Sequence, residues 1–400
     1  MTNKNKSYID KETSDALDGI RGLSAFIVLL AHFNQIFVLP VIGLNGPMHL
    51  IPSILSSYAV LFFFVLSGFV ISSSIVRNIK TNSHFNGVEF LISRFARIYP
   101  PYIFSLFFSF IIYLIIVGFE LHGSESYLLD GDKYVARDRV QASYYNYITS
   151  ALMLPGFING MGTILMNGSL WSISYEFWLY AMAFLVATSI YVKIIPLFIL
   201  ALIFLFFFTS SNYLFLYLAL VWSLGAALFL LYSYIKSKSL LMIKVRFYKL
   251  IMLAFLLACI SLMVYRGKSY NDFEFLVLYS NSLSYAFGFL CLITFILFYS
   301  IFLSRWFSDC EFFKKIGRYS YTLYLIHFPI LLLAFSFFHG YFLHANNMLR
   351  FLIFVFLMLI NLLLAKSLSA VLENTKAHKI KITNSIAYIK TVLRKEEKLT

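Results

Sequence analysis

Apolar stretches about as long as a bilayer is thick recur along the whole chain, and that recurrence leaves few architectures open. A spanning helix needs about 20 predominantly apolar residues. Runs of that order lie near 15–39, 54–76, 98–118, 170–192, 194–210, 213–235, 248–265, 275–303, 320–338 and 349–371. The composition agrees, since 60% of residues are hydrophobic and only 12% are charged, and the mean hydropathy of +0.81 lies outside the range of ordinary soluble domains. The chain reads as all-α, a polytopic integral membrane protein with about ten transmembrane helices.

A formal net charge of +14 would suggest nucleic acid in a soluble protein. Here the basic residues alternate with the spans. With the N-terminus inside, one side collects Lys4, Lys6, Lys11, Arg77, Lys80, Arg94, Arg97, the lysines and arginine of 236–249, Arg305, Lys314, Lys315, Arg318 and the tail. The other side holds only Lys133, Arg137, Arg139, Arg266 and Lys268. The positive-inside rule therefore accounts for the charge, supports an even number of spans with both termini cytoplasmic, and leaves no need for nucleic acid.

No repeat or Pro/Gly/Ser-rich linker divides the chain. We read a cytoplasmic N-terminal segment over 1–14, a transmembrane domain over 15–371 and a basic tail over 372–400. The tail spaces Ile382, Ile386, Ile389 and Leu393 at helical intervals among lysines, the pattern of a helix lying on the inner leaflet. The first span lacks a small-residue cleavage site and keeps Asp18 and Arg21 near its start, so it reads as a retained helix rather than a signal peptide. Cys259, Cys291 and Cys310 show neither metal-ligand spacing nor an expected pairing. The outer connection 119–169 mixes carboxylates with tyrosines, which suits either sugar binding or a solvated loop with interfacial aromatics.

Ionisable residues inside spans are costly and usually face a cavity or a pathway. The first span, "LDGIRGLSAFIVLLAHF", contains three. Asp18 and Arg21 stand at i,i+3 and suit an ion pair at the inner interface. His32 follows Arg21 by almost three turns, about 16 Å along the axis near the same face. By itself it suits packing as well as chemistry. Ser67 and Gly68 interrupt the phenylalanine-rich second span, where close helix packing alone could explain them. "SRFARIYPPY" sets Arg94 and Arg97 one turn apart, with Pro100 and Pro101 marking the entry to the third span. Such a pair suits phosphate as well as it suits topology-setting charge. "SLWSISYEFWLY" carries Glu176 about 9 Å in from the outer side, which puts the carboxylate in the outer third of the bilayer with His32 and in need of a partner. A carboxylate there could orient or charge-stabilise the imidazole. In "GRYSYTLYLIHFP", Ser320, Tyr324 and His327 share one helix face toward an inner polar cavity. Glu373, at the inner end of the last span, either holds a basic neighbour or caps nothing in particular.

These four segments, in this order and over nearly the whole chain, resemble the membrane-bound acyltransferase-3 family, bacterial O-acyltransferases of surface glycans. The resemblance implies His32 as catalytic base, an acyl-donor role for Arg21, Arg94 and Arg97, and an acceptor-side role for Glu176. We group Glu176 and Asp18 with His32 as the catalytic candidates, and Ser67, Ser320, Tyr324 and His327 with the donor site. It further implies cytoplasmic acetyl-CoA as donor, a glycan or glycolipid acceptor such as lipopolysaccharide O-antigen or exopolysaccharide, no metal, and a multi-pass location in the bacterial inner membrane. The family's Glu followed closely by Pro is replaced by "VLENTKAH" at Glu373, and no appended hydrolase-like domain is present.

Two other classes compete. A transporter or flippase of a lipid-linked glycan would also have about ten spans with buried ionisable groups, but paired broken helices in two halves are missing. A glycan polymerase or glycosyltransferase would call for a larger outer catalytic loop than 119–169.

Overall fold

The structure is a computed structural model that describes residues 9–42, 47–121, 140–158, 161–193, 195–197, 199–203, 212–237 and 309–396. Among these residues there are helices and no strand. Seven helical stretches are long and apolar enough to cross a membrane: Lys11–Ile42, Leu55–Asn82, Gly87–Gly118, Leu165–Tyr191, Leu214–Tyr234, Ser320–His344 and Asn347–Tyr388. The spans expected near 248–265 and 275–303 lie outside the described residues, as do parts of that near 194–210 and residues 122–139 of the outer connection.

Helix α1 (Lys11–Phe33) starts where Asp10 accepts from the Thr13 N–H at 2.7 Å, an N-cap that satisfies one orphan donor. It continues through a π-helical turn, Asn34–Val38, in which the Leu39 N–H bonds the Asn34 carbonyl just ahead of Pro40. Helix α2 is Pro47–Asn82 and α3 is Gly87–Gly118, the latter capped by Asn86 on the Glu89 N–H at 3.0 Å. Pro100 and Pro101 do not start α3; they lie inside it. Proline inside a spanning helix is tolerated where neighbours re-satisfy the freed backbone groups. The carbonyls that the two prolines free are those of Ala96 and Arg97; nearby, the Tyr321 hydroxyl donates to the Ile98 carbonyl at 3.0 Å.

A short helix α4 (Tyr144–Ala151) precedes a 3-10 turn, Leu165–Leu170, whose Asn167 is non-helical at φ −155°, ψ 71°. The turn leads into α5 (Trp171–Val192), followed by α6 (Tyr213–Ser237), α7 (Glu311–Gly317), α8 (Ser320–His344), α9 (Asn347–Leu372) and α10 (Thr375–Glu396).

Helix α8 is apolar on every side and occupies the centre, as an all-round hydrophobic helix must. Its Leu323, Leu325, Ile326, Phe328, Leu331, Leu332 and Phe335 are fully buried, and it packs on α1, α3, α9 and the 3-10 turn. Helix α9 instead exposes Phe351, Leu352, Phe356, Leu359 and Leu363, a lipid-facing stripe. Two glycine contacts draw backbones together. A Cβ on Gly22 of α1 would collide with the Phe313 carbonyl of α7, and one on Gly317 with the Asp18 carbonyl. Gly68 of α2 and Gly225 of α6 are related in the same way through the Trp222 and Val65 carbonyls. At the basic end of the bundle α10 lies on the start of α3, where Lys379 pairs with Glu89 at 2.9 Å and Asn82 donates to the same carboxylate at 3.1 Å.

Candidate functional site

The polar residues of the spans converge from α1, α2, α3, α5 and α8. Asp18 and Arg21 form the i,i+3 ion pair, Oδ1 to Nη1 at 3.0 Å, and both are partly buried. Arg21 continues into a partly open cleft that it lines with Ser67, Arg97, Glu176, Ser320 and Tyr324. Six of the ten residues singled out in the sequence therefore share one space.

Glu176 has a partner within its own helix. The Tyr180 hydroxyl, at i+4, donates to Oε1 at 2.5 Å. Tyr180 in turn accepts from Ser67 Oγ at 3.3 Å, and Ser67 Oγ accepts from Trp222 Nε1 at 3.2 Å. Because the indole N–H can only donate and a carboxylate only accepts, every proton in this chain points toward Glu176. The chain fixes the carboxylate against the cleft wall and ties α2, α5 and α6 together.

Glu176 is not at the depth expected for it. Ser172, one turn before it on α5, bonds the Tyr324 hydroxyl at 2.8 Å, and Tyr324 lies one turn before His327 on α8. Glu176 therefore lies past the level of the histidine, with Arg21 and Arg97, rather than in the outer third. The cause is the buried entry to α5. The 3-10 turn takes six residues, about 12 Å at ~2.0 Å per residue, and Met166, Asn167 and Leu170 of that turn are already fully enclosed.

The described partner of His32 is likewise not Glu176. Its Nδ1 meets Nε2 of His327 at 2.7 Å, across 295 positions of sequence. The two rings are nearly coplanar, 14° apart, and the edge of Phe328 closes on His32 at 5.1 Å. His327 is buried, and its Nδ1 lies 3.0 Å from the Leu323 carbonyl. Thus His327 joins α1 to α8, while Ser320 and Tyr324 of the same helix line the cleft. Tyr324 connects the two regions, with its ring 5.9 Å from that of His327.

The two arginines of α3 separate. Arg97 lines the cleft. Arg94 is buried behind it, donating from Nη2 to Ser74 Oγ at 3.0 Å and to Ser93 Oγ at 3.3 Å, with its guanidinium 5.7 Å from the Phe90 ring centre. Its Nε and Nη1 have no hydrogen-bond partner among the described residues.

Three further residues hold the site without having been singled out for it. Pro329 lacks an N–H, so the Leu325 carbonyl loses its helical donor. Asn167 Nδ2 and Ser105 Oγ donate to that carbonyl instead, each at 2.7 Å, and Ser169 Oγ donates to Asn167 Oδ1 at 2.6 Å. Asn167 and Ser105 thereby hold the backbone of α8 at Leu325, two residues before His327, where Pro329 has removed the helical donor. No local pattern announces a pairing 158 positions apart; only the proline was visible. Glu373, whose part the sequence left open, caps α8. Its Oε1 accepts from the Thr322 N–H at 2.9 Å and from Thr322 Oγ1 at 2.7 Å, satisfying an orphan donor of the first turn.

No curated protein and no solved structure matches the chain. An acyltransferase domain model does match, over residues 14–366. That stretch takes in α1 from residue 14 through most of α9 and every residue named in this site except Glu373, and by it the chain belongs to the acyltransferase-3 family.

Proposed function

We propose that this membrane acyltransferase moves an acyl group, specifically acetyl from cytoplasmic acetyl-CoA, to a hydroxyl of a cell-surface or lipid-linked glycan at the bacterial inner membrane. The observation that carries the reading is the cleft between α1, α3, α5 and α8. It gathers two guanidinium groups, Arg21 and Arg97, and its wall includes Tyr324, whose ring lies 5.9 Å from that of His327, the residue that meets His32. Acyl transfer asks for these groups at these places. The phosphates of a CoA thioester cannot enter hydrocarbon cheaply, so they stay where Arg21, Arg97 and the buried Arg94 supply positive charge at the cytoplasmic rim. The pantetheine arm can then follow α1 over the roughly 16 Å between Arg21 and His32.

There the imidazole takes the proton of the attacking hydroxyl, a task for which its affinity near neutral pH suits it. Asp18 acts through its ion pair with Arg21 and holds that guanidinium toward the cleft. Glu176 stands with the arginines, where a fixed carboxylate limits how the donor's anionic groups settle. The test uses isolated membranes from cells with and without the gene, labelled acetyl-CoA and mass spectrometry of the surface glycan. Gene-dependent acetyl ester on the glycan supports the reading. Export of unmodified lipid-linked glycan without any ester would favour a flippase and overturn it.

A further inference from the structure

The histidine pair contains more information than a base and a neighbour. A backbone carbonyl only accepts, so the 3.0 Å contact between His327 Nδ1 and the Leu323 oxygen requires a proton on that nitrogen. A neutral imidazole carries one N–H, which leaves Nε2 of His327 as an acceptor. Across the 2.7 Å contact the proton must then sit on Nδ1 of His32. The alternative is a doubly protonated His327 donating to His32. His327 is 1% exposed, and its described contacts are His32, the Leu323 carbonyl and the rings of Tyr324 and Phe328, with no carboxylate to balance an imidazolium. Burying an unpaired charge costs far more than choosing a tautomer.

We propose that His327 is a positioning residue: held by the Leu323 carbonyl, it fixes His32 as the Nδ1–H tautomer and so makes Nε2 the basic atom of the site. This rests on the acyl-transfer reading given above and replaces a donor-binding role for His327. In the reaction the acceptor oxygen bonds to the thioester carbon as its proton passes to Nε2 of His32. When the carbon–sulfur bond breaks, the thiolate takes that proton back, leaving an ester and a thiol. His327 stays neutral throughout. Its Nε2 accepts from an imidazolium N–H for the lifetime of the intermediate, a charge-assisted bond stronger than the ground-state one. The network at Leu325 supports the geometry, because it pins the backbone of α8 two residues away.

The test has two arms. In the full-length protein labelled with 15N-histidine, the His32 signals, identified by their loss in His32→Gln, should show a protonated Nδ1 and an unprotonated Nε2. A protonated Nε2 on His32 overturns the proposal. For kinetics, His327→Leu removes both donor and acceptor, whereas His327→Gln keeps one of each. The Leu variant should lose about 10²-fold or more in kcat while the acetyl-CoA KM moves less than about threefold, and the Gln variant should recover at least about tenfold of that loss. A raised acetyl-CoA KM with kcat intact, or a Gln variant as slow as Leu, overturns it. Should His327→Leu fail to fold, His327→Gln and the wild-type spectrum still decide. Should wild-type membranes acetylate no glycan, the substrate assignment falls while the spectrum judges the tautomer independently.

Discussion

The carbonyl of Leu325 offers a quantitative test of how α8 is held. Pro329 takes away its helical donor, and Asn167 Nδ2 and Ser105 Oγ replace it from two different elements. Asn167→Ala removes one of these and also leaves Ser169 Oγ, 2% exposed, without its acceptor. An orphaned buried hydroxyl costs about 1–3 kcal/mol in a soluble core. Interhelical hydrogen bonds in bilayers average nearer ~0.6 kcal/mol, because the unfolded helices find other partners. About 2 kcal/mol is therefore expected for Asn167→Ala and about 1 kcal/mol for Ser105→Ala.

The double variant should lose more than the sum, by about 1–3 kcal/mol, because only then is the carbonyl left with no donor at all. Restoring an N–H at the proline should cancel that excess, so Pro329→Ala should stabilise the double variant while doing little for, or harming, the parent. The assay is reversible unfolding in mixed micelles, run on the parent, both singles, the double and the double with Pro329→Ala. Additivity within about 0.5 kcal/mol, or no rescue by Pro329→Ala, would refute the shared-carbonyl argument.

Other outcomes follow from the same contacts. His32→Ala should insert and fold normally yet lose about 10²–10⁴-fold in transfer, measured per folded molecule; near-normal acylation would remove it from the chemistry. Arg97→Ala and Arg94→Ala should each raise the acetyl-CoA requirement more than the glycan requirement, read from initial rates at varied donor and acceptor, and an unchanged donor dependence would reverse the assignment. Gly317→Ala puts a methyl group against the Asp18 carbonyl, and overpacking of that kind typically costs about 1–3 kcal/mol, visible as a lower melting temperature alongside a weakened donor affinity. Glu373→Ala should lose about 1 kcal/mol as a cap is removed, whereas Glu373→Gln, which still offers an oxygen to Thr322, should lose much less; equal losses would mean that the charge matters and the cap does not.

What could be read from the sequence was what a single helix encodes. Asp18 and Arg21 are three residues apart and do pair; the demand of an intramembrane carboxylate for a partner is met by Tyr180, four residues on. Helical spacing settles such contacts before any tertiary structure exists. Depth was harder to read, because counting rise per residue needs a starting plane, and at Glu176 that plane was taken from the apolar run. The chain had already entered the protein interior by way of Asn167 and Met166, both fully buried.

The same limit explains why the histidine pair was invisible. His32 and His327 belong to different helices, and nothing within either helix distinguishes a packed imidazole from one that holds another. Each alone reads as an expensive polar residue in an apolar wall. Together, with a carbonyl fixing one proton, they acquire a direction, from Leu323 through His327 to His32. The glycine contacts supply the register that makes this meeting possible. Gly317, at the end of α7, seats the approach to α8 against Asp18, and His327 follows on the third turn of α8 while His32 is fourteen residues up α1. A bulkier residue at either glycine would therefore be felt at the imidazoles as well as at the crossing. The meeting of the two imidazoles thus depends on small residues at the basic end of the bundle as much as on the two histidines themselves.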